Sequence, residues 1–324
     1  NPENEKILKT FLTNELPDVE VSVSSDVCPE IREYERFTTT VVNAYIKPLM
    51  SNYLKKLDQK LLNSGFNCPL LLMTSGGTLT NISSACNNPV RLVESGPAGG
   101  AILATSIAED MNLSKVISFD MGGTTAKITI IENKKAIKAR EFEVDRKARF
   151  KKGSGYPLRI PVIEMVEIGA GGGSIARVNK LEQIITGPDS AGSFPGPACY
   201  SNGGSMPTIT DADLVIGKIN PDNFAGGKIK LSKQLADIAI TENIVKFVNI
   251  DTNIAALAIS EIVDETMSNA ARVHTVEQGH ETSNRTLIAF GGAAPLHIAR
   301  VAEKLRVSNI IIPTNASVGS AVGF

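Results

Sequence analysis

The chain reads as an α/β protein, on three observations. Strand-like apolar runs alternate with helix-like amphipathic segments. Several apolar runs end in a Gly-Gly turn. The most developed of them, ISFDMGGTTAKITII at residues 117–131, passes from one apolar run through an acid and a Gly-Gly-Thr-Thr turn into a second. That pattern suits a plain β-hairpin, and it equally suits a site for a phosphate chain and its metal ion.

In chain order, residues 1–14 read as a helix, and VEVSVS (Val19–Ser24) alternates like a short strand. Residues 29–65 carry Ile31, Tyr34, Val41, Val42, Tyr45, Ile46, Leu49, Tyr53, Leu54, Leu57 and Leu61 at helical spacing, with a kink expected at Pro48 and a stop at Gly65. Pro69–Gly77 is an apolar run closed by a Gly-Gly turn, so a buried strand is expected. Ser95–Gly100 reads as a Gly-rich turn opening a helix from Ala98 to about Met111. Residues 115–144 read as successive strands with a hairpin around Asn133, and residues 161–178 as strand, Gly-rich turn, strand. Residues 186–217 are rich in Gly and Pro and read as a long loop region, a kind that is often functional. From Ser232 the pattern turns helical, with Ile254, Leu257, Ala258, Ile262, Met267 and Val273 near one face. Residues 285–305 read as strand, Gly-Gly turn, helix, and a last buried strand follows.

The chain has 324 residues, 42% hydrophobic and 21% charged, with a net charge of -1. That is enough for two domains or one elaborate one. The near-neutral balance gives no electrostatic reason to expect nucleic acid. No apolar run reaches the roughly 20 residues of a membrane span, and the first residues do not read as a signal peptide. Cys28, Cys68, Cys86 and Cys199 form no CxxC pair, so they are expected to be reduced thiols of a cytoplasmic protein. The basic run Arg146–Gly155 reads as a solvated loop, with anion binding second. The first residue is Asn1 and not Met, so the chain reads as processed or as a fragment.

Five Gly-rich turns, at 75–77, 94–100, 119–125, 167–174 and 289–292, suggest one shared cleft. Gly lets backbone N–H groups approach an anion, and ligands of open α/β sheets sit at the carboxyl ends of strands. Gly76, Gly77, Gly122, Gly123, Gly291 and Gly292 are the candidate phosphate or nucleotide contacts. None of the turns matches GxxxxGK[ST], and GAGGGS has no helix behind it as GxGxxG requires. In DMGGTTAK, Asp120 ends a strand and can hold Mg²⁺, while Thr124 and Thr125 offer hydroxyl and amide donors. Asp211 and Asp213 form a metal or water-orienting pair if TITDADL is a strand; at a helix start Asp211 is instead an N-terminal cap. His297 reads first as a structural histidine. Glu94 and Glu167 each precede a Gly-rich turn, where a carboxylate can orient water or substrate. No Ser-His-Asp triad can be assembled from spacing.

The runs FDMGGTTAKITII, KGSGYPLRIPVIEMVEIGAGGGSIARV, GPDSAGSFPGPACY, PTITDADLVIGKI and LIAFGGAAPLHIARVAEKL, with SDVCPEIREYERFTTTVVNAYIKP and SGPAGGAI before them, resemble the hydantoinase A/5-oxoprolinase family. That family includes ATP-dependent N-methylhydantoinases and acetone carboxylase beta subunits. The resemblance implies an actin-like ATPase fold, in which two ribonuclease-H-like halves clasp a nucleotide. It implies ATP and Mg²⁺ as cofactors, Asp120, Gly122, Gly123, Thr124 and Thr125 as the second phosphate hairpin, and Gly291 and Gly292 as the adenosine turn. Asp120 would act in catalysis as well as on the metal. It further implies a remnant of an N-terminal domain at 1–30, a hydantoinase A domain at 31–324, and a D-x-GGT hairpin before residue 1. The implied activity is ATP-driven opening of a cyclic amide or activation of a carbonyl substrate, with a B-type subunit as partner. Two alternatives share the fold: a sugar-kinase-like phosphotransferase, with Asp211 as catalytic base, and an actin- or Hsp70-like nucleotide switch.

Overall fold

The computed structural model describes residues 2–145 and 153–324. Most of the basic run read above as a solvated loop or anion site lies outside the described residues. Two compact units are present, one of residues up to Ile102 with Ile137–Glu164, the other of Leu103–Ala136 with Met165–Gly323.

The first unit holds helices α1 (Glu3–Glu15) and α2 (Glu33–Asn63). Pro48 lies inside α2 without ending it, and Gly65, at a φ of 89°, follows its last turn. The inward face of α2 is largely polar. Thr39, Asn43 and Ser51 are buried beside Leu54. The Asn43 side chain donates to the Asn87 carbonyl (3.1 Å) and Ser22 Oγ (3.2 Å) and accepts from the Val90 amide (3.2 Å). Ser51 donates to the Cys86 carbonyl at 3.0 Å, and Thr39 accepts from the Arg159 amide at 2.8 Å. Much of the apolar set that predicts the helix faces outward: Tyr45 is 85% exposed and Leu49 75%, and Tyr34, Val41 and Tyr53 are exposed too. Val42, Ile46 and Leu54 of that set do join the unit's cores.

Val19–Ser24 pairs with no strand among the described residues; the Asn43 and Lys47 side chains of α2 hold Ser22 Oγ and the Val21 carbonyl, and Ser24–Val27 is one helical turn. Leu71–Met73 is a short arm of a hairpin with Leu79–Asn81, and Leu71 is exposed. Ser95–Gly100 is no turn but the start of helix α3 (Ser95–Asp110). Glu94 takes the positive φ that ends the preceding segment, and Pro97 falls in the first turn, where no helical N–H is lost.

The second unit is built on a six-stranded sheet. Five strands, labelled in chain order, are β1 (Lys115–Met121), β2 (Ala126–Glu132), β3 (Met165–Ile168), β4 (Thr286–Phe290) and β5 (Asn309–Ile311). Their spatial order is β3-β2-β1-β4-β5. The first three are antiparallel, and β4 and β5 run parallel to β1. This is the ribonuclease-H-like arrangement the resemblance implies. The sixth strand, Lys135–Ala136, folds back on β2 through Asn133 and Lys134, both at positive φ, as the hairpin expectation requires.

Both faces of the sheet are covered, so the runs read as continuously apolar. Ile117, Phe119, Met121, Ile128, Leu287 and Ala289 belong to the larger core, with helices α4 (Ile209–Val215), α5 (Thr252–Glu277) and α6 (Ala294–Leu305). Val116, Ile131, Ile288 and Phe290 pack with Ala104 and Ala108 of α3. Phe119 and Phe290 are fully buried, each stabilising by about 1.5–3 kcal/mol. In α5 the buried stripe is Ala255, Ala256, Ile259, Ser260, Val263, Asp264, Met267, Ala270 and Ala271, while the expected Ile254, Leu257 and Val273 are exposed. The expected last buried strand, β5, is a half-exposed edge. TITDADL, inside the expected loop, forms α4.

Asn43→Ala leaves the Val90 amide and the Asn87 carbonyl without this partner. It is expected to destabilise the first unit by about 1–3 kcal/mol, whereas Tyr45→Ala stays within about 0.5 kcal/mol. Urea unfolding followed by limited proteolysis of the 33–63 region distinguishes the two.

Candidate functional site

Parallel pairing of β1 with β4 sets Asp120 level with Phe290, so the turns that follow the two strands meet. The Ala293 amide donates to the Met121 carbonyl at 2.9 Å. Gly291 has a φ of 88°, and a Cβ there would lie 2.4 Å from the Met121 carbonyl oxygen and 2.7 Å from Asp120 Oδ1. Only glycine fits that approach. After β1 the chain turns through Gly122–Thr125, closed by the Gly122 amide on the Thr125 carbonyl at 3.1 Å.

A third loop braces this turn. After β3, the Gly172 amide donates to the Gly122 carbonyl (3.0 Å) and the Gly173 amide to the Gly123 carbonyl (2.7 Å). A Cβ on Gly171 would stand 2.5 Å from the Thr124 backbone. Three of the five Gly-rich turns, at 119–125, 167–174 and 289–292, therefore converge. Gly76 and Gly77 belong to the first unit, on the Leu71–Asn81 hairpin, where Gly77 at φ 72° is crowded by Ile102 and Ile163. Glu94 is likewise a first-unit residue; this second-unit cluster is built without them.

Gly122, Gly123 and Gly292 are of another kind. None has a left-handed φ, and a Cβ on each would meet nothing within 4 Å. The backbone does not require glycine there; what glycine supplies is open space. Gly123 and Thr124 are exposed, and their amides meet no acceptor among the described residues. Unengaged donors beside open space form a cradle suited to an anion.

Asp120 stands at the rim of the cradle. Register places Asp120, Lys127 and Glu167 in one row across β1, β2 and β3. Lys127 Nζ lies 3.2 Å from Glu167 Oε1 and 3.2 Å from Thr125 Oγ1. Ser320 donates a hydrogen bond to Asp120 Oδ2. Burial raises the Asp120 pKa; the Ser320 hydrogen bond and the Lys127 charge only partly offset this. Among the described residues no group of three or more His, Cys, Asp or Glu side chains is placed to hold a metal ion. One carboxylate fits Mg²⁺, which retains waters and takes its other ligands from phosphates.

A model of the Hydantoinase/oxoprolinase family matches residues 36–324. The chain belongs to that family. It is 43% identical to an uncharacterized protein of Methanocaldococcus jannaschii over 326 residues, covering 100% of this chain and 48% of that one. It is 34% identical to the caprolactamase subunit alpha of Pseudomonas jessenii, covering 98% of this chain and 44% of that one. In structure it resembles nucleotide-free acetone carboxylase (TM-score 0.86, 27% identity) and the ATP-dependent caprolactamase of Pseudomonas jessenii (TM-score 0.82, 34% identity). Each likeness covers 100% of this chain and 45% of the other. The chain thus spans about half the length of these hydantoinase/oxoprolinase relatives.

The remaining candidates lie deeper. Asp211 is fully buried as the third residue of α4, in a capping box with Thr208. Its carboxylate accepts from the amides of Ala198 (3.2 Å), Cys199 (2.7 Å) and Thr208 (2.8 Å) and from Thr208 Oγ1 (2.8 Å). The helix reading of TITDADL therefore applies, and Asp211 faces no open space. Cys199 is buried beside it; burial first, then the Asp211 charge, pushes its thiol far above the usual range, so it is no nucleophile. His297, on α6, lies between Asp264 (Nδ1 to Oδ1, 2.8 Å) and Asp213 (Nε2 to Oδ2, 3.0 Å). Burial lowers its pKa, but the hydrogen bonds and charges of Asp213 and Asp264 outweigh this and raise it to about 9.

Sequence reasoning overlooked Lys127 and Ser320. Lys127 had a signal: it sits two residues past Thr125 in a strand, hence on the same face. Ser320 had none, because it reaches Asp120 from 200 residues away.

Gly122→Ala should fold as stably as the wild type, whereas Gly171→Ala should lose about 1–3 kcal/mol; thermal melts of the two variants test this. Because the folded-state pKa of Asp120 is raised, its ionised form costs stability, and that cost grows as pH climbs from 3.8 through the folded value. Asp120→Asn should therefore melt at or above the wild-type temperature at pH 7, the advantage vanishing below pH 3.8. A lower melting temperature for Asp120→Asn at pH 7 would contradict the burial argument.

Proposed function

We propose that this chain is the nucleotide-binding ATPase portion of an ATP-dependent enzyme that activates a cyclic amide or carbonyl compound. The observation that carries this reading is the pairing of Asp120 with the open glycine cradle at the ends of β1 and β4. The known activities of the relatives, ATP-dependent caprolactamase and ATP-dependent acetone carboxylation, support it.

In this reading the amides of Gly123 and Thr124 and the hydroxyls of Thr124 and Thr125 hold phosphate oxygens, and Lys127 lies within reach of them. Asp120 would hold Mg²⁺, and the ion would supply positive charge to the phosphates. The turn at Gly291 and Gly292 receives the adenosine, with open space on its Gly292 side. Transfer of the γ-phosphoryl group to an amide oxygen, with ADP leaving, would make the amide carbon electrophilic; water would add there, the ring nitrogen would leave with a proton, and hydrolysis of the resulting acyl phosphate would release phosphate. The fixed donors of the cradle stabilise that transfer because they need no reorganisation. The sugar-kinase alternative loses its base, since the Asp211 carboxylate is enclosed by four donors.

Related chains are named as subunits, which supports a partner subunit, and we take that partner to be of the B type. We place it in the cytoplasm, in keeping with its four free cysteines. No helix among the described residues is long and apolar enough to cross a membrane.

Phosphate release from Mg-ATP should rise at least about tenfold when the assembled enzyme is given its cyclic amide or carbonyl substrate. Asp120→Asn should lower that rate about 100-fold or more. A panel of hydantoin, 5-oxoproline, caprolactam and acetone, with and without partner subunit, tests the reading. Phosphate release that no panel member stimulates, or that survives Asp120→Asn unchanged, would refute it.

A further inference from the structure

A buried ionic cluster joins α4, α5 and α6. His297 bridges Asp213 of α4 and Asp264 of α5, and all three side chains are buried. Asp213 also accepts from Ser260 at 3.1 Å and faces Lys218 Nζ at 3.6 Å. Lys218 donates to Ser260 at 2.8 Å and approaches Asp264 at 4.0 Å. Two carboxylates thus meet two cations, one of them the imidazolium. At the exposed rim of α5 and α6, Arg300 and Lys304 are taken by Glu261, Glu265 and Glu303, so they do not serve the cluster.

The cluster closes a ring of contacts around the site. At the start of α4, both the amide and the hydroxyl of Thr210 donate to the Gly172 carbonyl at 2.8 Å. Gly172 and Gly173 brace the Gly122–Thr125 turn. One helical turn further along α4 stands Asp213, on His297. From His297, α6 runs back to the Gly291–Ala293 turn, and Ala293 returns to Met121 beside Asp120. A buried charge pair is costly to assemble and stabilises little beyond an apolar core of the same volume. What it supplies is a link held at one end by the hydrogen bond between Nδ1 and Asp264 and at the other by the ion pair of Nε2 with Asp213, whose contact lacks hydrogen-bond alignment.

We infer that His297 is a positioning residue, which through Asp213 and Asp264 holds the phosphate turn at 122–125 and the turn at 291–293 at the separation Mg-ATP requires. This rests on the nucleotide reading given above. The link requires the imidazolium. With a folded-state pKa of about 9 against an ordinary 6.5, the contribution is complete below pH 6.5 and is lost as pH rises through about 9.

Hydrogen exchange at pH 7 on the wild type, His297→Gln and Asp264→Asn tests the link without nucleotide. The bonded amides of Gly122, Gly172, Gly173, Gly291 and Ala293 should lose protection together in both variants, by at least about tenfold, while β1 and β2 keep theirs. Loss spread evenly over the sheet, or confined to α6, overturns the inference. If His297→Gln does not fold, Asp264→Asn carries the same test. Mg-ATP affinity from pH 7 to 10 is the second readout. Wild-type affinity should weaken as pH passes about 9, Asp264→Asn should weaken at lower pH, and His297→Gln should be weak throughout and flat. A folded His297→Gln with wild-type affinity and pH profile overturns the inference. Absence of Mg-ATP binding by the wild type overturns the nucleotide reading instead, and the exchange pattern then decides the link alone.

Discussion

Everything in the second unit hangs on β1 running parallel to β4. A parallel pair cannot be joined by a tight turn, so the chain travels more than 160 residues between Met121 and Thr286 before the two strands meet. The same pairing brings both carboxyl ends to one edge of the sheet, which is where ligands of such sheets bind. The closeness has a measurable consequence at Gly291. Its Cα sits against the Met121 carbonyl and the Asp120 carboxylate, with no space for a methyl group. The two turns therefore form one surface whose shape is set by backbone contacts.

The glycines of that surface divide by physical role. Gly171 and Gly291 are required by packing, because any side chain there would collide with backbone. Gly122, Gly123 and Gly292 are required by neither packing nor φ. A glycine that the folded chain does not need costs conformational entropy. It is offset when something outside the chain approaches the backbone. The proposal of an anion cradle rests on this contrast and not on the motif, which a plain hairpin shares.

The sheet and its turns were legible in the sequence because both faces of β1, β2 and β4 are buried, leaving long apolar runs with Gly at their ends. The long helices were legible as helices, but their buried faces were misread. In α2 the inward positions are Thr39, Asn43 and Ser51, and in α5 they include Ser260 and Asp264. A reading that assigns large apolar residues to the interior puts these on the wrong side. Their burial depends on partners from distant segments, such as Val90 for Asn43 and His297 for Asp264, which no local pattern reveals. Val19–Ser24 failed for a related reason: its alternation was real, but side chains of α2 hold the Val21 carbonyl and Ser22 Oγ, and no strand among the described residues pairs with it. In the site, Asp120 and the glycines could be named in advance, whereas Ser320 arrives through tertiary folding alone.

Asp120 and His297 illustrate opposite uses of burial. Around Asp120, burial outweighs Ser320 and Lys127, so its negative charge is left partly uncompensated at a rim that faces open space. A cation arriving there would relieve that cost, and part of its binding energy would come from the relief. Around His297, two carboxylates outweigh burial, so the charge is compensated inside the protein and draws no ligand. The first arrangement is destabilising until something binds; the second is complete in itself. A site whose shape must be fixed before its charge is satisfied needs both, because an uncompensated carboxylate in a yielding frame would move to find a partner of its own.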